Sequence, residues 1–423
     1  MIYDFYGEIM LNINRPRGTN DFYYESASRI EFIENKIKHI AKLYGYSRIR
    51  TPLFEYTDLF TRGIGSGTDI VGKEMFTFED RGGRSLTLRP EGTASVVRAF
   101  IENNINQDFS INKLFYIGTM YRAERPQKGR YREFNQFGIE CIGSHSPVID
   151  AEVISLNIHI LKEFGIDNIN LLINTVGCSK CKPNYDNALK DALSSRKDEL
   201  CDTCKNRYDN NILRILDCKN EKCREITNNI PRFYDYVCDE CREHFDIVCD
   251  ELNKLNQKFI IEPKLVRGLD YYTKTTFEVQ TNTLGAQSAI LGGGRYDNLI
   301  GIFNNGKDIP AVGSAIGIER LLIVLENQEK KIDDDRLDVF IIAFDSTEKY
   351  VLDIMQKLRA KGISCDYSFS SKNIKNQFKV ANKIGAKYAV IVGEEEIKRG
   401  VVKIKNLDIA EERESSIENI ELF

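Results

Sequence analysis

Apolar and polar side chains follow two different periods along this chain, and each change of period marks the end of a predicted element. Residues 25–44 carry apolar side chains at helical spacing, including Ile30, Ile33 and Ile37, and Gly45 ends this predicted helix. Shorter apolar stretches between turn residues predict strands. The same reasoning predicts, in order, strands at 46–51, 75–78 and 85–88, a helix at 94–103, strands at 113–121 and 134–142, a helix at 150–164, a strand at 276–280 and a helix at 321–325.

A polar segment at 326–336 (ENQEKKIDDDR) separates two parts of the chain that differ in rhythm, and it is the predicted linker. A common domain has about 150 residues, so a chain of 423 residues suggests two or three domains. We predict a first domain at 1–325, interrupted by an inserted, largely helical module at 177–250, and a C-terminal α/β domain at 337–423. The C-terminal elements are strands at 339–344, 364–367, 388–392 and 401–404 and helices at 347–361 and 373–384.

The composition is that of a folded globular protein, since 42% of the residues are hydrophobic and 29% are charged. The formal net charge of −4 gives no overall attraction to a polyanion, so a nucleic-acid partner would have to bind local basic patches. Residues 1–10 lack the basic start and the apolar run of a signal peptide, and no uncharged apolar stretch reaches about 18 residues. These features predict a cytosolic protein.

The cysteines are concentrated in the inserted module and come in pairs. Eight of the 11 fall between Cys178 and Cys241. Because the cytosol keeps thiols reduced, disulfides are not expected. Two cysteines with two residues between them are typical of zinc ligands. Two pairs close one tetrahedral site and four pairs could close two; the alternative is a helical module that folds without metal. The predicted ligand set of one site consists of the first two pairs in the chain: Cys178, Cys181, Cys201 and Cys204.

Two predicted strands flank a cationic loop and place polar residues on a common face. Successive strand side chains point to opposite faces, so Gly118 and Arg122 share one face of the first strand, and Gln136, Gly138 and Glu140 share one face of the second. The glycines leave space for a flat ligand on the sheet, and the arginine offers a fork of N–H donors to phosphate or carboxylate. The alternative is a surface hairpin with ordinary charges.

Two further segments carry polar residues with two interpretations each. Glu91 and Thr93 precede a predicted helix, where an acid favours the positive end of the helix dipole; the same carboxylate could bind the ammonium group of a ligand. In the C-terminal domain, lysines at spacings of three and four share one helical face, which is either solvated or a polyanion footprint. These lysines are Lys372, Lys375, Lys379, Lys383 and Lys387.

The motifs resemble those of a known family in content and in order. The segments 45–52, 122–140 and 313–320 resemble the three signature motifs of class II aminoacyl-tRNA synthetases. Arg-Gly-Leu-Asp-Tyr-Tyr at 267–272 resembles the peptide particular to histidyl-tRNA synthetases. The segments 88–93 and 295–297 are similar to that family as well, so the resemblance covers essentially the whole chain.

This resemblance implies a fold and a reaction. The fold would be an α+β catalytic domain on an antiparallel sheet, with motif 1 at a homodimer interface, an insertion that touches the tRNA acceptor arm, and an anticodon-binding C-terminal domain. The reaction would activate histidine with ATP and Mg²⁺ to histidyl-adenylate and then transfer the histidyl group to tRNA(His). Possible structural Zn²⁺ in the insertion is a separate prediction from the cysteines of this chain.

The resemblance also implies roles for individual residues. Arg122 would hold the α-phosphate and the histidine carboxylate, Arg320 the γ-phosphate, and Arg267 would face the α-phosphate as a fixed cation. Contacts with tRNA are expected at Arg125 and Gln127 in the hairpin loop, and at Lys372, Lys375 and Lys379. The residues expected around the ammonium and imidazole groups of histidine are Glu91, Thr93, Gln136, Glu140, Tyr271 and Tyr272.

One departure and two rival interpretations complete the sequence picture. Lys274 stands where the family usually has glycine, which bears on the local turn and not on Arg267. The first rival is the non-catalytic paralogue that regulates histidine biosynthesis; it typically lacks the arginine peptide and the anticodon domain, and both are present here. The second rival, a zinc-dependent nucleic-acid adaptor built around the cysteine module, leaves the arginines unexplained.

Overall fold

A computed structural model describes residues 13–65, 67–105, 110–282, 289–328, 336–369 and 373–422. The chain divides into two compact units, Met1–Ile332 and Asp333–Phe423. Among the described residues, no helix is long and apolar enough to cross a membrane.

The first unit is built on a large sheet with helices packed against both of its faces. Outside the cysteine-rich insertion, its elements in chain order are α1 (Glu25–Leu43), β1 (Ser47–Arg48), β2 (Phe54–Tyr56), α2 (Thr57–Ile64), β3 (Phe76–Glu79), β4 (Ser85–Leu88), α3 (Thr93–Glu102), β5 (Asn112–Tyr121), β6 (Glu133–Ile142), α4 (Val148–Glu163) and β7 (Asn170–Thr175), and after the insertion β8 (Ile260–Ile261), β9 (Thr273–Gln280), β10 (Ala289–Arg295), α9 (Leu299–Phe303), β11 (Ala311–Gly317) and α10 (Ile318–Asn327).

The large sheet has eight strands in the order β1-β5-β6-β11-β10-β9-β7-β8. All of its neighbours pair antiparallel except the two short edge strands, β1 with β5 and β8 with β7. Because side chains alternate across a strand, one face of β5 and β6 carries Phe115, Phe137 and Ile139, which are buried in the core with α1, α4 and α10. The opposite face carries the polar Gln136 and Glu140, together with Tyr116, Met120 and Ile142, which belong to a second buried core.

A smaller sheet, β2-β4-β3, lies beside the large one. The tight Asp80-to-Arg84 turn joins β3 to β4 through hydrogen bonds to the Asp80 carboxylate, as the turn residues predict. This sheet leaves Phe54, Tyr56 and Phe78 exposed.

The insertion consists of short helices and 3₁₀ turns. Its helices are α5 (Lys182–Ser194), α6 (Asp202–Asn210), α7 (Glu221–Ile226) and α8 (Asp239–Lys254). It leaves the sheet after β7 and returns before β8, and these two strands pair with each other. The sheet therefore holds both ends of the insertion.

The second unit is an α/β domain. Its elements are β12 (Val339–Ala343), α11 (Val351–Ala360), β13 (Cys365–Tyr367), α12 (Ile374–Lys383), β14 (Tyr388–Val392), α13 (Glu394–Lys398), β15 (Val401–Asn406) and β16 (Glu412–Ser416). The strand order in its sheet is β13-β12-β14-β15-β16. Strand β12 pairs in parallel with β13 and β14, whereas β15 pairs antiparallel with β14 and β16.

The predicted fold class is confirmed: an antiparallel-rich catalytic sheet, a helical cysteine-rich insertion and a C-terminal α/β domain. Two local expectations were incomplete. The predicted strand 46–51 pairs over two residues only. The sequence reading also missed α13 and β16.

Candidate active site

A cavity of about 180 Å³, open to solvent, lies on the face of the large sheet that carries Gln136. Strands β6, β10 and β11 form its floor, and the β5–β6 loop and the 267–272 peptide form its sides. It is lined by the following residues that the sequence singled out: Glu91, Thr93, Arg122, Gln136, Arg267, Tyr271, Tyr272 and Arg320.

Glu140, also predicted to surround histidine, lies behind the cavity wall and is fully buried. The hydroxyl of Thr93 donates to one carboxylate oxygen at 2.7 Å and the hydroxyl of Tyr296 donates to the other at 2.5 Å. Burial raises the pKa of Glu140 to about 8. Glu140 therefore fixes the two hydroxyl groups that face the cavity and does not itself line it.

Glu91 serves as the cap of α3 and also lines the cavity. Its carboxylate accepts hydrogen bonds from the backbone N–H groups of Thr93 and Ala94, at 2.7 and 2.8 Å. This confirms its predicted place at a helix start. Burial raises the pKa of Glu91, although these hydrogen bonds oppose the shift. A cationic group of a ligand would stabilise the charged form of this carboxylate, which is largely shielded from solvent.

The predicted open floor over Gly118 and Gly138 is wrong, because both spaces are filled. The Tyr116 ring lies across Gly138, where a Cβ would overlap it. The Arg89 guanidinium lies over Gly118 and donates to Thr119 O at 2.9 Å. Glycine at these positions admits protein side chains, and the open space lies farther along β6, over β10 and β11.

Arg122, Arg130 and Arg320 lie close together at the cavity. Arg122 donates to Pro90 O at 2.9 Å, and its guanidinium lies 5.3 Å from the centre of the Phe134 ring. Arg320 donates to Gly129 O at 2.9 Å, which ties α10 to the hairpin loop. Burial, together with the charges of Arg130 and Arg122, lowers the pKa of Arg320 to about 10. This part of the cavity is therefore short of negative charge.

Arg267 lines the same cavity and lies against Gly292 in β10, where a Cβ would overlap its guanidinium. It forms an ion pair with Glu278. Burial lowers the pKa of Arg267, but the Glu278 carboxylate and other nearby groups together more than offset this, and the net shift is upward. Within the described parts of the chain, Arg267 Nε and the buried Gln136 Oε1 have no hydrogen-bond partner, so two polar atoms at the cavity are available to a ligand.

The insertion holds the 267–272 peptide through its backbone. Arg214 donates to Arg267 O at 2.8 Å, and Lys182 donates to Tyr272 O at 3.0 Å. Tyr271 and Tyr272 are buried, with ring centres 4.8 Å apart. The position of the cavity arginine therefore depends on side chains that belong to the cysteine-rich module.

The residues predicted to contact tRNA are distributed over both units. Arg125 and Gln127 are exposed in the β5–β6 loop. Lys375 and Lys379 are exposed on α12, whereas Lys372 lies outside the described residues. Lys387 forms an ion pair with Asp338 at 2.9 Å and does not belong to the helix, so it leaves the predicted lysine face.

The structure corrects the predicted metal-ligand set, because Cys178 and Cys181 are not grouped with Cys201 and Cys204. The thiols form two separate groups, and within each group the four Sγ atoms lie within 4.8 Å of one another. The sheet brings the two ends of the insertion together, so the first cysteine pair meets the last pair. The groups are Cys178, Cys181, Cys238 and Cys241, and Cys201, Cys204, Cys218 and Cys223.

Several residues of the site were missed in the sequence. Tyr116 and Tyr296 line the cavity, and Arg130 lies close to Arg320. Tyr296 lies in the segment 295–297, which the sequence marked as similar to the family without giving the tyrosine a role. The fully buried Arg295 pairs with Asp150 at 2.5 Å and so fixes the tyrosine that follows it. Nothing in the local pattern distinguished Tyr116 from the other apolar residues of β5.

An antiparallel sheet that carries a cavity with an arginine after β5 and another at the start of the helix after β11 defines the catalytic unit of a class II aminoacyl-tRNA synthetase. A family model described as "Histidyl-tRNA synthetase" matches residues 18–321, and one described as "Anticodon binding domain" matches residues 338–422. The chain belongs to the histidyl-tRNA synthetase family.

Individual relatives agree with this assignment. The histidine–tRNA ligase of Halothermothrix orenii is 46% identical over 97% of this chain and 98% of its own length. That of Clostridioides difficile is 43% identical over 94% of this chain and 95% of its own length. The apo histidyl-tRNA synthetase structure from S. aureus is 35% identical, covers 96% of this chain and 97% of that chain, and superposes with a TM-score of 0.80.

Proposed function

We propose that this protein is a histidine–tRNA ligase, an ATP-dependent enzyme of protein biosynthesis that activates histidine and transfers it to the 3′ end of tRNA(His). The observation that carries the proposal is one cavity bordered by Arg122, Arg267 and Arg320, with uncharged polar and tyrosine side chains between them. Three cations and several polar groups around one cavity suit an amino acid that must meet a triphosphate. Relatives with this activity in their names span nearly the whole chain.

Histidine would bind in the middle of the cavity. Glu91 would attract its ammonium group, and the free Oε1 of Gln136 would accept a hydrogen bond from it. Thr93, Tyr271 and Tyr272 would complete the pocket, with Glu140 holding Thr93 from behind. Polar groups that are left unpaired by the wrong substrate discriminate strongly, whereas an apolar wall does not.

The first chemical step would be attack of the histidine carboxylate on the α-phosphorus of ATP. A bond forms between a carboxylate oxygen and phosphorus, and the bond from phosphorus to the bridging oxygen breaks, which releases pyrophosphate. Arg122 and Arg267 would face the developing charge on the α-phosphate, and Arg320 the γ-phosphate. Fixed cations stabilise such a transition state without reorganisation.

Mg²⁺ is expected to reach this cavity on the nucleotide. The nearby acids are already engaged, since Glu278 pairs with Arg267 and Glu319 accepts from the Asn135 backbone N–H at 2.8 Å. Ions of this kind commonly keep several waters and bind mainly through the phosphates of the substrate. Bound there, Mg²⁺ would neutralise phosphate charge.

In the second step, a terminal ribose hydroxyl of tRNA would attack the acyl carbon, and AMP would leave. Arg125 and Gln127, exposed in the β5–β6 loop that borders the cavity, are suited to contact the acceptor end. Lys375 and Lys379 would contact phosphates near the anticodon, with Lys372 as a third candidate. Exposed lysines on one helical face are suited to such contacts because they are cationic. Contacts with phosphates position the nucleic acid without reading its bases.

We further propose a homodimer in the cytosol. The small sheet exposes Phe54, Tyr56 and Phe78, with 51%, 56% and 44% of their surface accessible, next to the segment that resembles motif 1. An apolar face of this kind is suited to a second copy of the chain. All cysteines in the described structure are free thiols, which suits a reducing compartment. Zinc in the insertion would be structural and would take no part in the reaction.

The test is ATP–pyrophosphate exchange with each amino acid in turn, followed by transfer to tRNA. Exchange should depend on histidine alone. Absence of exchange with every amino acid, in folded protein, would favour the regulatory paralogue. Exchange without transfer to tRNA(His) would overturn the second step.

A further inference from the structure

We propose that the insertion carries two tetrathiolate zinc centres, one nested inside the other in sequence. Centre A would consist of the outer cysteine pairs, Cys178, Cys181, Cys238 and Cys241. Centre B would consist of the inner pairs, Cys201, Cys204, Cys218 and Cys223.

The separations between sulfur atoms match the edge of a zinc–thiolate tetrahedron. A Zn–S bond of about 2.3 Å places neighbouring sulfurs about 3.8 Å apart. In centre A, the Sγ atom of Cys181 lies 3.6 Å from Cys178 and 3.8 Å from Cys241. In centre B, Cys201 and Cys218 are 3.9 Å apart. Disulfide-bonded sulfurs would be about 2.05 Å apart, so these are four-thiol groups and not oxidised pairs.

Each centre receives the N-terminal ends of two helices. Cys181 and Cys238 are the N-cap residues of α5 and α8 in centre A. Cys201 is the N-cap of α6, and Cys223 lies in the first turn of α7, in centre B. The positive end of a helix favours the thiolate form, which is the form that binds metal. The three longer helices, α5, α6 and α8, thus direct their favourable ends at the sulfurs.

Backbone N–H groups also point at the sulfurs. The N–H of Cys238 donates to Cys181 Sγ at 3.2 Å, and the N–H of Cys201 donates to Cys223 Sγ at 3.2 Å. Lys274 adds a cation beside centre A, where it interacts electrostatically with Cys241 and pairs with Glu240 at 2.8 Å. Hydrogen bonds and a nearby ammonium group balance the excess negative charge of four thiolates on one divalent ion.

The cysteines are also part of the apolar core of the insertion, beside side chains such as Tyr185, Leu189 and Phe233. Its helices have between six and 16 residues and are joined by 3₁₀ turns, and its apolar core contains four of the eight cysteines themselves. Small modules with a limited core commonly depend on a structural metal. Four soft ligands in a closed tetrahedron select zinc, or iron in the same geometry, and leave no open position for catalysis.

The first test is metal content of the full-length chain purified without chelator. Elemental analysis should find two zinc ions per chain and no stoichiometric iron. Folded protein with no zinc, with one zinc, or with iron in its place would overturn the proposal.

The second test determines which pairs share a metal. In Cys178→Ser/Cys238→Ser, both changes fall in centre A, so one zinc should remain. If the cysteine pairs were grouped in either of the other two ways, these changes would disrupt both sites and no zinc would remain. Cys249→Ser, in α8 but outside both groups, is the matched control and should keep two.

The wild-type protein provides a test that needs no variant. Stepwise titration of thiols with a mercurial reagent, in the presence of a coloured zinc indicator, should release two zinc ions as eight protected thiols react, four per ion. Release of zinc without reaction of these thiols would place the metal elsewhere and overturn the proposal.

Discussion

The guanidinium of Arg267 forms an ion pair with the Glu278 carboxylate, while its Nε has no hydrogen-bond partner in the part of the chain that the structure describes. Glu278 therefore holds the arginine at the cavity and leaves a donor for a ligand. This relationship explains how a cation can be fixed in place before the nucleotide binds, which is the arrangement that transition-state stabilisation requires.

Replacing Arg267 by alanine should lower histidine-dependent pyrophosphate exchange by roughly 10²- to 10³-fold, because a fixed donor to the transition state is lost. Arg267→Lys should also be impaired, since a lysine offers one mobile charge in place of a planar fork. Histidine should still bind, through Glu91 and Gln136. Normal exchange by Arg267→Ala would refute its catalytic role.

Arg214 should influence exchange because it donates to Arg267 O, although it belongs to the insertion. Arg214→Ala should lower the exchange rate at saturating histidine by about tenfold or more, since the buried arginine also leaves acceptors unpaired. Arg207→Ala is the comparison: Arg207 pairs with Asp69 as Arg214 does and donates to Arg214 O at 3.0 Å, but it is not bonded to Arg267. Equal effects of the two changes would mean that the hydrogen bond from Arg214 to Arg267 O does not determine the exchange rate.

The buried Glu140 should make stability fall as the pH rises. Its pKa is about 8 in the folded protein and about 4.3 in an unfolded chain, so between these values the folded state binds more protons. The free energy of unfolding should decrease there by at most about 1.4 kcal/mol per pH unit and level off above pH 8. Glu140→Gln stays neutral and should lose this contribution, which denaturant unfolding at about pH 5.5 and 8 would detect. Identical pH dependence in both proteins would contradict the shift.

Lys274 adopts a left-handed backbone conformation with φ of 48°, which explains why glycine suits this position. Lys274→Gly and Lys274→Ala both remove the ammonium group that pairs with Glu240. Only glycine relieves the backbone strain, so the glycine variant should be more stable to unfolding than the alanine variant by about 1 kcal/mol. Equal stabilities would show that the turn relaxes when the pair with Glu240 is lost.

The exposed lysines of α12 should contribute to tRNA affinity. Lys375→Glu/Lys379→Glu should weaken tRNA binding. The dependence of tRNA affinity on salt should also become weaker, because a protein with fewer phosphate contacts releases fewer counterions on binding. Pyrophosphate exchange without tRNA should stay unchanged. Lys398→Glu, an exposed lysine on α13 of the same unit, is the control for a general change of charge. Unchanged tRNA affinity would make α12 an ordinary solvated face.

The local sequence pattern was sufficient to predict the strands, but it could not predict which side chains pack over their glycines. Alternation predicted β5 and β6 and the shared face of Gln136, Gly138 and Glu140, because side-chain direction depends only on the strand itself. The predicted open floor failed because Arg89, about 30 residues away in the chain, occupies the space over Gly118. Sequence spacing contains no information on which distant side chain reaches a glycine.

The cysteine groups show the same limit at a larger scale. Spacing predicted the pairs correctly, since both members of a pair lie at the start of one helix or next to it. It could not predict which pairs meet, because that depends on β7 and β8 holding the two ends of the insertion together. The candidate arginines, in contrast, came from a family resemblance that carries such long-range information.

The central place of β11, between β6 and β10, has a consequence for biosynthesis. A nascent chain that has emerged from the ribosome only as far as β10 would contain most of its strands as two separate sheets, each with a long unpaired edge. Such edges invite pairing with other chains. The two halves can join only when Gly317, the last residue of β11, has also emerged. Translation that stalls before this point should therefore yield fragments that aggregate and cannot form the cavity.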